Sequence, residues 1–102
     1  MSLLVRLVYQ DHSTIRQYSD SPDGELLALA QRMRDTSEVM RIIEQDQDAM
    51  FNRIQQGMVR EHLRQVLSES DLPPAEADAA RKLLDAVEEV YETGGYVMIL
   101  GE

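Results

Sequence analysis

Two histidines, three arginines at helical spacing and a ridge of glutamates are the residues of this chain that could do chemistry. A metal site built on His12 and His62 needs further ligands, and neither a His-x₃-His spacing nor a His-Glu helix motif accompanies them. Glu61 and His62 are adjacent, so on a helix they point about 100° apart and do not converge. His12, between Asp11 and Ser13, reads as a turn residue. There is no Cys, which removes thiolate ligands, disulfides and Cys nucleophiles. No G-x-S-x-G elbow surrounds a serine. Gly94-Gly95 precedes an apolar run, the reverse of the strand–loop–helix order of phosphate loops. No catalytic residue, metal or cofactor is assigned, and the expectation is a protein that is not an enzyme.

Arg53, Arg60 and Arg64 are seven and four residues apart, along one side of a continuous helix. They form a candidate anion site, because guanidinium groups bind phosphate and carboxylate through paired hydrogen bonds. The competing expectation is a solvated face paired locally with Glu61 and other acids. Glu88, Glu89 and Glu92 form an acidic face on the last predicted helix. Ten basic residues against nineteen acidic ones leave a net charge of −9. Such a chain repels a phosphate backbone, so nucleic acid is not an expected partner. An acidic face keeps a protein in solution, or it meets a basic partner, as in an inhibitor, immunity or antitoxin-like protein.

The most regular pattern is a seam. Leu26, Leu29, Met33, Met40, Ile43, Met50 and Ile54 follow one another at spacings built from threes and fours, interrupted only by Thr36 and Gln47. A period near 3.5 suits a helix laid along another helix. A helix from Pro22 to Gln56 would be roughly 50 Å long, whereas a folded chain of this size has a radius of gyration of about 13 Å. Unbroken, such a rod needs a partner. Broken near Thr36, where Thr36 or Ser37 could cap a new helix, it needs none. The unbroken reading makes Met33, Met40, Ile43, Met50 and Ile54 a partner-binding surface, with methionine supplying adaptability. Thr36 and Gln47 would then be buried positions that set register.

The elements that must carry these residues read as α+β in a single domain. Leu3–Gln10 alternates well enough for a strand, and 14–19 has the β-branched and aromatic character of a return strand, giving a hairpin. Ser21 is placed as an N-cap with Pro22 at the first helical position. Helices are predicted over about 22–56, 58–68 and 74–93, with Gly57 marking a kink or an end. Gly94-Gly95 stops the last helix. A closing strand over 96–100 is expected to pair beside the first, in a small antiparallel or mixed sheet. Tyr96, Val97, Met98, Ile99 and Leu100 are all apolar, so both faces of that strand ask for cover, and a second copy of the chain is one source of it.

Leu3–Tyr9 is too short to span a membrane and is broken by Arg6. It also lacks the basic leader of a signal peptide, and a chain without Cys fits a reducing compartment, the cytoplasm. The function expected is that of a small acidic protein-interaction or regulatory module, self-associating as a homodimer through its central helix. A neutraliser of a basic partner and a small-molecule anion binder or minor enzyme are the alternatives.

Overall fold

A computed structural model of the chain describes residues 3–44, 47–69 and 71–101. The alternation of Leu3, Val5 and Leu7 with Leu4 and Arg6 produces strand β1 (Leu3–Val8), and its return partner is β2 (Thr14–Ser19). They are antiparallel, with a bulge where Leu7 meets Arg16 and Val8 meets Thr14. In the connection, Asp11 accepts hydrogen bonds from the hydroxyl (2.6 Å) and the amide (2.9 Å) of Ser13. These bonds hold its carboxyl below the usual carboxylate range.

Helix α1 (Glu25–Arg32) is followed by turns, a single 3₁₀ turn over Met40–Ile42, and a short strand β3 (Ala49–Phe51). Helices α2 (Arg53–Glu69) and α3 (Pro74–Thr93) then lead into β4 (Tyr96–Gly101). The sheet is ordered β2-β1-β4-β3 and is antiparallel throughout. The closing strand lies beside the first, as its apolar character implies, and the architecture is α+β.

Three predicted boundaries are corrected. The helix expected over 22–56 does not exist as one rod: α1 ends at Arg32, and β3 occupies part of its expected length. Turning the chain lets Met33, Met40 and Ile43 enter the core of the same chain, all under 4% exposed. It also keeps the longest dimension of the molecule to 37 Å, which a 50 Å rod would exceed. Ser37 assists the break, its hydroxyl accepting from the Met40 amide at 3.2 Å. Thr36 and Gln47, expected as buried register positions, are exposed.

The second correction concerns the start of α1. Ser21 does not cap it; the carboxylate of Asp20 takes the Leu26 amide at 2.9 Å, and the helix opens at Glu25 behind a left-handed Gly24. The third concerns Gly57, which lies inside α2. That helix starts earlier than predicted because Asn52 and Gln55 make a reciprocal capping box. The Gln55 amide donates to Asn52 Oδ1 at 2.9 Å, and the Asn52 amide donates to Gln55 Oε1 at 3.0 Å. The predicted bounds of α3 match, with Pro74 at its first position and Gly94 closing it at φ 82°.

All three helices lie on one face of the sheet. Val5, Leu7, Val97, Ile99, Ala49 and Phe51 point into that side and join Leu29, Leu63, Leu83, Val87 and Val90 in one core. The strand residues between them point the other way.

Candidate functional site

Among the described residues no element lies over that other face. Cα register pairs Leu4 with Leu100, Arg6 with Met98, and Met50 with Met98, so these five side chains share the outer surface of β1, β4 and β3. None of the apolar four joins the core. Met50 is 44% exposed, while Leu4, Met98 and Leu100 are partly exposed. Toward one end, the His12 ring stacks on Tyr96 at 5.6 Å between centroids, so the hairpin connection covers part of the face there. Arg6 is the only charged residue among the outward positions of the strands, and its Nε donates to Gln17 Oε1 at 2.9 Å. Among the described residues the outward positions of β1, β4 and β3 are thus apolar apart from Arg6, those of β2 include polar Gln17 and Ser19, and Asp48, just before β3, accepts from the Gly101 amide at 3.0 Å at the edge. Such a surface can bury against another apolar surface.

The residues first assigned to partner binding divide. Met33, Met40 and Ile43 are enclosed in the core of the chain and present no surface to a partner. Met50 is on the open sheet face. Ile54, 78% exposed, projects from the first turn of α2. The seam's spacing was met by folding the chain back on itself, because buried positions at threes and fours serve separate turns as well as one helix.

The arginine stripe is on one side of α2, as its spacing implies, but it faces α3. The guanidinium carbons of Arg53 and Arg60 both lie 4.3 Å from the centroid of the Tyr91 ring. Gly57 lies between them, and a Cβ there would be 3.9 Å from that ring. Arg53 also donates to the Tyr91 carbonyl at 3.1 Å. Arg64 pairs with Glu88 at 2.6 Å. These contacts are internal, so the stripe joins two helices instead of converging on an empty anion site. They also engage the acidic face: Glu88 goes to Arg64, and Glu89 goes to Arg16 of β2 at 3.1 Å. Glu92 is exposed and, among the described residues, makes no ion pair.

One pairing was missed. Ser37 Oγ and His62 Nδ1 are hydrogen-bonded at 2.6 Å, an arrangement that resembles a nucleophile and its base. Ser37 is only 1% exposed, and its hydroxyl already accepts from the Met40 amide. A substrate carbonyl has no approach to it, so the pair works as a clasp that ties the segment after α1 to α2. Residues 25 apart on different elements carry no sequence signal for this contact. Among the described residues no group of His, Asp or Glu gathers closely enough to hold a metal ion. No helix among them is long and apolar enough to cross a membrane. No family model matches the chain, and neither a curated protein nor a solved structure is found similar to it.

Proposed function

We propose that this chain is a small cytoplasmic protein-interaction module that pairs with a second copy of itself across the outer face of its sheet. The observation that carries the reading is the cluster of Leu4, Met50, Met98 and Leu100 on a face whose strand positions include no acid. Two chains of net charge −9 repel each other over most of their surfaces. They repel least where the described strand positions carry no carboxylate, and that is also where apolar area is open to water. A twofold contact places the same patch on both sides, and apolar side chains are complementary to themselves. Two methionines in the patch can adjust to the partner's shape.

The face measures about 20 Å along the strands and about 19 Å across them, which is smaller than a standard interface of ~800 Å² per partner. A weak, concentration-dependent dimer follows. The rival readings draw less support, because Arg53, Arg60, Arg64, Glu88 and Glu89 are occupied by contacts within the chain.

Light scattering on a sizing column, run over a hundredfold range of concentration at low and high salt, tests the reading. Dimer is expected to grow with concentration and to grow further with salt, which screens the repulsion between two like-charged chains while leaving the apolar contacts intact. A Met98→Glu, Leu100→Glu double variant is expected to remain folded by circular dichroism and to stay monomeric. A wild-type chain that is monomeric at every concentration and salt would sink the proposal.

A further inference from the structure

Met50 and Met98 are register partners on neighbouring antiparallel strands, so two thioethers stand side by side on the outer face of the sheet. Met50 is 44% exposed, and Met98 is partly exposed. The other described methionines are placed differently. Met33 and Met40 are enclosed in the core, and Met58 projects from α2, on the helix side of the sheet. Arg6 is the register partner of Met98 on its other side, so the row across the face runs Arg6, Met98, Met50. Among the described residues β3 is an edge strand, and Met50 has no strand beyond it.

We infer that Met50 is an oxidation-sensitive contact: peroxide converts it to the sulfoxide, and the oxidised chain pairs less tightly with a second copy. This regulation rests on the dimer proposed above. In the reaction the Met50 sulfur attacks one oxygen of hydrogen peroxide. The S–O bond forms as the O–O bond breaks, sulfur gives up two electrons, and the departing oxygen takes the proton and leaves as water. An apolar thioether becomes a strong hydrogen-bond acceptor. On the single chain, water donates to that oxygen. Across the dimer it would meet apolar side chains, and a buried acceptor without a donor weakens the contact that buries it. Twofold symmetry doubles the effect, because each copy contributes its own Met50. Met50 matters more than Met98 for two reasons. It is the more exposed of the two, and a sulfoxide on Met98 would stand beside Arg6, whose guanidinium has N–H groups beyond the Nε bonded to Gln17. The coupling runs both ways: pairing that oxidation weakens must in turn shield Met50 from peroxide.

The test is a fixed dose of hydrogen peroxide on the full-length chain. Sulfoxide at each methionine is read by peptide mass spectrometry, and association by sedimentation velocity. Met50 sulfoxide is expected well ahead of sulfoxide at Met33 and Met40. Its yield should fall as chain concentration rises, in step with dimer. Oxidation of Met50 is expected to raise the dimer dissociation constant about tenfold or more, as an unpaired buried acceptor on each copy requires. Met50→Leu keeps the apolar contact and removes the sulfur. That variant is expected to dimerise and to hold its dissociation constant after the same dose, although every other methionine remains in place. A folded chain that carries Met50 sulfoxide and dimerises with unchanged affinity would overturn the inference and leave the dimer standing. Equal loss of dimer in peroxide-treated Met50→Leu would overturn it too, by assigning the effect to another methionine. An untreated chain that stays monomeric at every concentration removes the dimer itself, and this regulation with it.

Discussion

The side-chain amide of Gln56 donates to the backbone carbonyl of Gly95 at 3.0 Å, across 39 residues of sequence. The same nitrogen donates to the Phe51 carbonyl at 2.8 Å. One fully buried side chain thus ties the end of β3, the start of α2 and the entry to β4, the edge of the sheet that holds Met50 beside Met98. Replacing it with Leu leaves two buried carbonyls without donors, each costing about 1–3 kcal/mol, offset in part by removing the unpaired Gln56 Oε1. Gln56→Leu is expected to lower stability by roughly 2 kcal/mol. An unchanged urea midpoint would show that the tie contributes nothing.

Two glycines are expected to respond in opposite directions to alanine. A Cβ on Gly95 would lie 1.9 Å from the Val8 carbonyl oxygen, a contact with the backbone of a central strand that no rotamer can relieve. Gly95→Ala is expected to cost about 3 kcal/mol or more, or to prevent folding. At Gly57 the nearest atom is Tyr91 Cε2 at 3.9 Å, ordinary contact distance, and the residue is helical. Gly57→Ala is expected to add about 0.5–1 kcal/mol. Thermal melts of the two variants beside the parent chain decide the matter; destabilisation by Gly57→Ala would contradict it.

Burial pushes the Tyr18 phenol well above its ordinary value near 10. The neutral phenol is therefore preferred in the folded state. Its contribution is fully present below about pH 10, where the unfolded chain would begin to ionise, and is lost as pH rises toward the folded value. Stability is expected to fall above pH 10, and Tyr18→Phe should reduce that fall while raising stability at pH 7, because it removes a buried hydroxyl that has no partner. Urea midpoints at neutral and strongly alkaline pH, compared between the two chains, measure this. Identical alkaline losses would assign the effect to other groups.

Tyr91 is flanked by two guanidiniums, and each cation–π contact is worth about 0.5–1 kcal/mol at an exposed site. Arg60→Gln is expected to cost about that much, and Tyr91→Leu more, since it removes both contacts. A double-mutant cycle between positions 60 and 91 is the suitable measurement. A coupling energy indistinguishable from zero would show that Arg60 is not held by the Tyr91 ring.

Core substitutions should separate from surface ones in the former seam. Met40→Glu places a carboxylate in a site with no exposure and is expected to unfold the chain. Ile54→Glu, at 78% exposure, should shift stability by no more than about 0.5 kcal/mol. Comparable circular dichroism melts for the two would contradict the enclosed position of Met40.

Much of this architecture is written in short-range pattern. Alternation in residues 3–8 and 14–19, Pro74 and Gly94 at the two ends of a helix, and the glycine-bounded apolar run after Gly95 each specify an element through contacts only a few residues long. The pairing of β4 with β1 was also legible, because two strongly apolar strands have few other places to go. The two apolar faces of β4 were legible too, and among the described residues nothing covers one of them.

The fate of the seam was decided only in three dimensions. Spacings of three and four say that Met33, Met40 and Ile43 must be covered, but they do not say whether one rod or several turns does the covering. The reciprocal cap of Asn52 and Gln55 was present in the residues as the signal for where α2 begins, and the longer periodicity masked it. Arg53, Arg60 and Arg64 looked free because their true neighbours, Tyr91 and Glu88, are on a helix whose approach no local spacing encodes. The same holds for Ser37 with His62. Local periodicity dictates which side chains must leave water, whereas the tertiary packing of elements dictates which ones meet, because contact between distant residues depends on the whole arrangement of chain between them.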